Sequence, residues 1–314
     1  MSTLMYDPAE EHFELYEDIL EQNDIAFAKE NLLGKIHQLK EMESMTLVTA
    51  NEGLWQFIKG CLTSIGNIMG HIVTLFTTNV FKFYKSLKRT EIRYYNNSNK
   101  VSMLRIFSQS YDELSNIEIP FPNGMTVTYM EALDKTIVAL TNLDIMTRAN
   151  LAVTVSDKIL KGLKSGSVMN DIIKSGVASS DTTNVKDVVE AAKKCIDEKK
   201  NTSNDIKTFK ELFISIADFK KCNDMALDCD KFVDIVNAVH KKMGICSDNF
   251  TEIVKVIERS AGNGVTKDDV ENLSTLAYTL ADTFDMFSMM MFNFHKLEHN
   301  LVEVYRKIRK ELSL

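Results

Sequence analysis

The chain has 314 residues, 45% of them apolar and 26% charged, a balance that excludes a disordered polymer. Its formal charge of −7 argues against a dedicated nucleic-acid binder, which carries a basic face. Five cysteines (Cys61, Cys195, Cys222, Cys229 and Cys246) form no close pair, which argues against a disulfide scaffold and for reduced thiols in a cytosolic setting.

Only three prolines occur, Pro8, Pro120 and Pro122, and all lie outside the periodic segments. Proline removes a helix donor and clashes with the preceding turn, so their scarcity leaves room for long helices. Charge is unevenly spread. Residues 1–50 carry eleven acidic and three basic side chains, whereas residues 51–105 carry two acidic and eight basic ones. The acidic head reads either as a solvated helix face or as an arm that docks on the basic segment, in cis or on a neighbouring subunit. Its first residues, MSTLMYDPAEEHFELYEDILEQ, lack the basic and apolar regions of an ordinary secretory signal.

In chain order, residues 9–47 predict a helix, continuous or broken at Gly34, with Phe13, Tyr16, Ile19, Leu20, Leu32, Leu33, Ile36 and Leu39 along its apolar stripe. Residues 52–89 follow, and from Gly60 to Phe81 they hold no Asp, Glu, Lys or Arg. Those 22 residues are long enough, at about 1.5 Å each, to cross a bilayer core. Thr63, Ser64, Asn67, His71, Thr74, Thr77, Thr78 and Asn79 dilute that signal. Three readings stay open: a helix buried against protein, a conditionally membrane-active helix, and a constitutive span. Gly66 and Gly70 are spaced to let another helix approach closely, and Lys82, Lys85, Lys88, Arg89 and Arg93 make a basic end. The candidate interaction residues are Trp55, Phe57, Ile58, Gly66, Gly70, Phe76, Phe81, Lys82, Phe83, Lys85, Lys88 and Arg89.

The run YYNNSNK then predicts a loop, and NIEIPFPNG a small extended or hairpin element near residues 100–125. Residues 126–163 return to a helical period with a bend, and a Gly/Ser/Thr-rich stretch follows. Further helices are predicted over 184–199, 204–243, 247–260 and 267–312, the last capped by Thr266 with Asp268 and Asp269 behind it. A periodic run of about 45 residues predicts a coiled coil or a helix shared between subunits.

Little here points to catalysis. His295 and His299 share a helix face, but the string HKLEH places its glutamate at the wrong position for the HExxH zinc arrangement, so surface or interface histidines are expected. Cys222 and Cys229 stand two turns apart, about 10 Å of rise and too far for a disulfide. The glycines form no nucleotide-binding pattern. No catalytic residue, cofactor or metal is expected. The basic and aromatic run FKFYKSLKRTEIRYY allows nucleic-acid contact, though not of a specific kind.

The string GLWQFIKGCLTSIGNIMGHIVTLFTTNVFKFYKSLKR, followed by a Tyr/Asn loop and a long helical remainder, resembles in layout the internal or structural virion proteins of large tailed bacteriophages. That resemblance implies a protein packaged in the particle, assembled in the host cytoplasm and partnered with capsid or tail proteins. The acidic residues 1–50 do not match it.

Together these readings predict an all-α, elongated multi-helix bundle with a small extended or hairpin element. The expected parts are a helical module over 1–95, a connector over 96–125 and a bundle over 126–314. The expected role is non-enzymatic assembly, by self-association or against larger protein partners. The alternatives are a membrane-active or membrane-tethered effector using residues 54–89, with cytoplasmic or membrane-associated localisation, and an enzyme or metal-binding site built from distant helices.

Overall fold

The computed structural model describes residues 24–41, 50–75, 97–122, 125, 127–165, 183–195, 204–227, 230–259 and 266–313. Among them the fold is all-α with one two-stranded ribbon. The elements are α1 (Asp24–Glu41), α2 (Ala50–Leu75), α3 (Asn97–Phe107), α4 (Tyr111–Ser115), β1 (Glu118–Pro122), α5 (Tyr129–Leu143) and α6 (Ile145–Ser165). There follow α7 (Thr183–Lys193), β2 (Asn204–Thr208), α8 (Phe209–Leu212), α9 (Ile216–Leu227), α10 (Asp230–Arg259) and α11 (Lys267–Glu311). They divide into two compact units, each discontinuous in sequence. The first comprises Met1–Asn79, Ile145–Asp181 and Asn237–Phe284; the second comprises Val80–Asp144, Thr182–Val236 and Asp285–Leu314.

In the first unit, α2 turns one apolar stripe inward. Ile58, Cys61, Leu62, Ile65, Ile68, Met69 and Ile72 recur at three-and-four spacing and all are buried. α1 packs against α2. Lys35 lays its stem over Gly60 and donates from Nζ to Ser64 Oγ at 2.7 Å and to the Gly60 carbonyl at 3.3 Å. Lys29 pairs with Asp282, and its carbonyl accepts from the Tyr278 hydroxyl at 3.0 Å. So α1 is tied down through its lysines. The acidic residues before it, and the basic run 82–93, lie outside the described residues, as do those parts of the acidic-arm reading. Gly34 does not break α1: a glycine inside a helix costs about 1 kcal/mol relative to alanine, which packing overrides. A polar knot joins α6 to α10, where Asn249 Nδ2 donates to Ser156 Oγ at 3.0 Å and to Asp157 Oδ1 at 2.6 Å.

The second unit holds the ribbon and an aromatic core. β1 pairs antiparallel with β2, Glu118 opposite Thr208 and Pro122 opposite Asn204. The Phe209 amide donates to the Ile117 carbonyl at 3.0 Å, which makes the odd-numbered β1 residues the ones that exchange backbone bonds with β2. Pro120 and Pro122 therefore fall where the backbone points away from β2. They cost no ladder bond and leave the outer edge of β1 short of donors. The expected extended element is present, and its partner strand comes from residues predicted as helix. The 204–243 segment is β2, α8, α9 and the start of α10, because pairing with β1 claims Asn204–Thr208. Thr208 then caps α8 in a reciprocal box with Glu211. α10 runs unbroken through the break predicted between 243 and 247, where Met243 and Cys246 are both buried. α3 begins at Asn97, inside the predicted loop, and takes up its last residues.

Phe209, Phe213 and Phe219 cluster with ring centroids 4.9–5.5 Å apart, Phe213 to Phe219 and Phe209 to Phe219 being edge-on. Phe107, Tyr111 and Tyr129 join them at 5.7–6.1 Å. The Tyr111 hydroxyl donates to the Phe213 carbonyl at 2.9 Å, which satisfies a backbone group beside the cluster. α5 ends where Asp144 takes the left-handed conformation at φ 40°, and α6 starts at the next residue.

α11 has 45 residues and the predicted cap: Thr266 and Asp269 bond reciprocally, with the Asp269 amide 3.2 Å from Thr266 Oγ1 and the Thr266 amide 2.9 Å from Asp269 Oδ2. Asp268 and Asp269 at its start and Arg309 and Lys310 at its end match the helix dipole. Met290 to His295 are six buried residues in succession. Six residues exceed one turn, so this stretch is covered on every side, a wider contact than a coiled-coil seam.

Two adjacent residues offer a test of this packing. Phe213→Ala is expected to cost about 3–5 kcal/mol in urea denaturation, by removing the centre of the aromatic cluster. Ile214→Ala, at a side chain that is 81% exposed, is expected to change stability by less than about 0.5 kcal/mol.

Candidate interaction groove

The face of α2 opposite its buried stripe carries Thr63, Gly66, Asn67, Gly70, His71 and Thr74. These positions follow one another at three-and-four spacing and so share one side of the helix. Facing them in the same unit are Ser247, Phe250, Thr251, Val254 and Lys255 of α10. Between the two helices lies a groove of about 570 Å³.

The chemistry of its walls follows from local hydrogen bonds. Thr63, Thr74 and Thr251 spend their hydroxyl protons on carbonyls one turn back, at 2.9, 3.1 and 3.0 Å. They therefore show the groove methyl groups and lone pairs. Asn67 and His71 make no side-chain hydrogen bond among the described residues and keep their donors. Lys255 Nζ stands 4.0 Å from Glu252, at the limit of an ion pair and beyond hydrogen-bonding reach. No carboxylate is among the described residues that line the groove. A Cβ added at Gly66 would meet Phe250 Cβ at 3.9 Å, and one at Gly70 would meet Ser247 Oγ at 4.0 Å. Both are ordinary contacts, so the glycines hold the groove open rather than permit a tight crossing of α2 with α10.

Of the residues singled out from the sequence, Gly66 and Gly70 line the groove and Ile58 is buried in the core. Trp55 and Phe57 belong to α2, though only their backbone is described. Phe76, Phe81, Lys82, Phe83, Lys85, Lys88 and Arg89 lie outside the described residues. The α10 wall was not foreseen. Ser247 to Lys255 read in sequence as one more helix face, and no local pattern links them to α2. Among the described residues, no helix is long and apolar enough to cross a membrane.

The histidine pair resolves differently from expectation. His295 is a core residue, not a surface or interface one, because it sits in the fully covered stretch of α11. Its Nδ1 lies 3.8 Å from Glu298 Oε2, within ion-pair distance but too long for a hydrogen bond. Burial outweighs that neighbour and lowers the imidazole pKa to about 4, so the ring is neutral at pH 7. No group of three or more metal-ligating side chains occurs among the described residues. The thiols of Cys222 and Cys246 are pushed up to about 12, mainly by burial, and are protonated and unreactive at neutral pH. Cys229, the other member of the pair considered above, is outside the described residues.

No family model matches this chain, and no curated protein or solved structure matches it.

Two outcomes follow from this geometry. Gly66→Ala and Gly70→Ala should each raise unfolding free energy by about 0.5–1 kcal/mol, since alanine is the better helix former and its methyl meets only ordinary contacts; a loss of stability would show that the glycines are pressed against something. His295, with a folded pKa of about 4 against an unfolded value near 6.5, binds its proton more readily in the unfolded chain. Stability should therefore be full above about pH 6.5 and decline as pH falls toward about 4, by on the order of 3 kcal/mol. His295→Phe should flatten that part of the pH profile in denaturant titrations.

Proposed function

We propose that this chain is a non-enzymatic assembly protein that works by packing its helices against itself or against larger protein partners. The observation that carries this reading is the division of α2. Its apolar stripe is consumed inside the chain, while its other face is uncharged, notched by two glycines and open as one wall of a groove. A face of that kind suits contact with another backbone or side-chain row more than it suits chemistry, which needs a converging set of titratable groups. The bacteriophage-like layout of residues 52–89 extends the reading to a virion component partnered with capsid or tail proteins.

The membrane-active alternative is less well supported. Placing α2 in lipid would require withdrawing Ile58, Ile65, Ile68 and Ile72 from the core, and each buried aliphatic side chain accounts for about 1.5–3 kcal/mol.

Light scattering over a concentration series tests the proposal. The intact chain should gain mass with concentration, or with added partner protein, and the Gly66→Leu/Gly70→Leu double variant should not. A chain that remains strictly monomeric under every such condition would sink it. Flotation with neutral and anionic vesicles at pH 7 and pH 5 provides the second arm: flotation of the folded protein would transfer the reading to the membrane.

A further inference from the structure

We propose that the groove between α2 and α10 receives a carboxylate-bearing helix from a different protein, and that its acidic side chains enter between the two walls. This rests on the docking role proposed above and names the chemistry of the partner.

Size sets the first constraint. Thr63 to Thr74 spans about 17 Å along α2, or three helical turns. A three-turn helix about 10 Å across fills more than about 1,000 Å³, well above the groove's volume. The groove therefore takes the side chains of one helix face, spaced at i, i+4 and i+7, and not the helix itself. The gaps at Gly66 and Gly70 are where the incoming backbone comes nearest.

Hydrogen bonding sets the second. The threonines of both walls have spent their protons on their own helices. The donors left facing the groove are Asn67 and His71 from α2 and Lys255 from α10. An occupant rich in acceptors satisfies them, and one rich in donors does not.

Charge sets the third. Lys255 is the full charge on the lining, and no carboxylate accompanies it among the described residues that line the groove. The Glu252 carboxylate beside it is 4.0 Å away and holds none of its three protons in a hydrogen bond. A second copy of the same groove is a poor occupant, because it would set Lys255 against Lys255 and donors against donors. An acyl chain is a poor one too. The apolar groups on the walls are Phe250 and Val254, and Phe250 is already buried. A carboxylate row satisfies both the donors and the charge.

The test uses the intact chain and two synthetic four-turn alanine-based helices of equal length. One carries glutamate at i, i+4 and i+7; the other carries glutamine there. Binding is read by fluorescence anisotropy at low salt and again at high salt. The glutamate helix should bind about tenfold more tightly than the glutamine helix, and the difference should shrink as salt rises. Lys255→Glu should abolish that preference without shifting the melting temperature, since Lys255 is exposed. Gly66→Leu should weaken both peptides by filling the groove. Equal affinity for the two peptides, an unchanged preference in Lys255→Glu, or no binding of either peptide overturns the proposal. The two readings fail separately. If both peptides bind equally and Gly66→Leu blocks both, the groove still docks a helix and only the charge assignment falls. If the leucine variants assemble as the natural chain does in light scattering, the docking role itself falls.

Discussion

Between Met290 and His295 the last helix has no side facing water, and a helix so placed sets conditions on everything around it. Polar side chains along it have to be satisfied locally. Ser274 and Thr283 do so by donating to carbonyls one turn back, each at 2.7 Å. Titratable groups have to surrender their charge, as His295 does. The neighbouring elements have to offer apolar stripes on their inner sides, and this assigns the buried faces of the other helices before any local preference is consulted. With its inner side committed, α2 has only its small and hydroxyl-bearing face left to present.

Much of this was legible in the sequence. The 3.6-residue period located the helices, and the Thr266 cap with its two aspartates placed the start of α11 to the residue. The length of α11 was also correct, but its meaning was not. A periodic run of 45 residues suggests a partner chain, and what covers Met290 to His295 belongs to the chain itself. Length is local information; burial all round is not. The same limit explains β2. Asn204–Thr208 carries no alternation to mark it, and it is a strand because β1, 82 residues earlier, offers the matching ladder. At Gly34 the error ran the other way, a local signal for interruption being overridden by packing.

The groove divides along the same line. Gly66 and Gly70 stood out in sequence because their spacing is a property of one helix. Their counterparts on α10 did not, since Ser247 to Lys255 gains meaning only from what it faces. The missing charge over Gly60–Phe81 first suggested lipid. For its described portion, a simpler account holds: one face of α2 is committed to the core and the other to a groove where threonine, asparagine and histidine do the polar work. A helix can lack charge because both its faces are already spoken for within protein.

The two prolines of β1 bear on how the chain behaves in a crowd. Ribosomes make β1 well before β2, so for an interval the strand exists without its partner. A bare strand ordinarily has two edges, and two edges are what let strands add to one another without limit. With Pro120 and Pro122 both turned to the same side, β1 is effectively monofunctional. In the language of polymer chemistry it is an end group: it can be joined once, and it terminates whatever stack it enters. For a protein proposed to work at high local concentration among copies of itself, such a strand limits disordered growth while leaving ordered helix-to-helix association open.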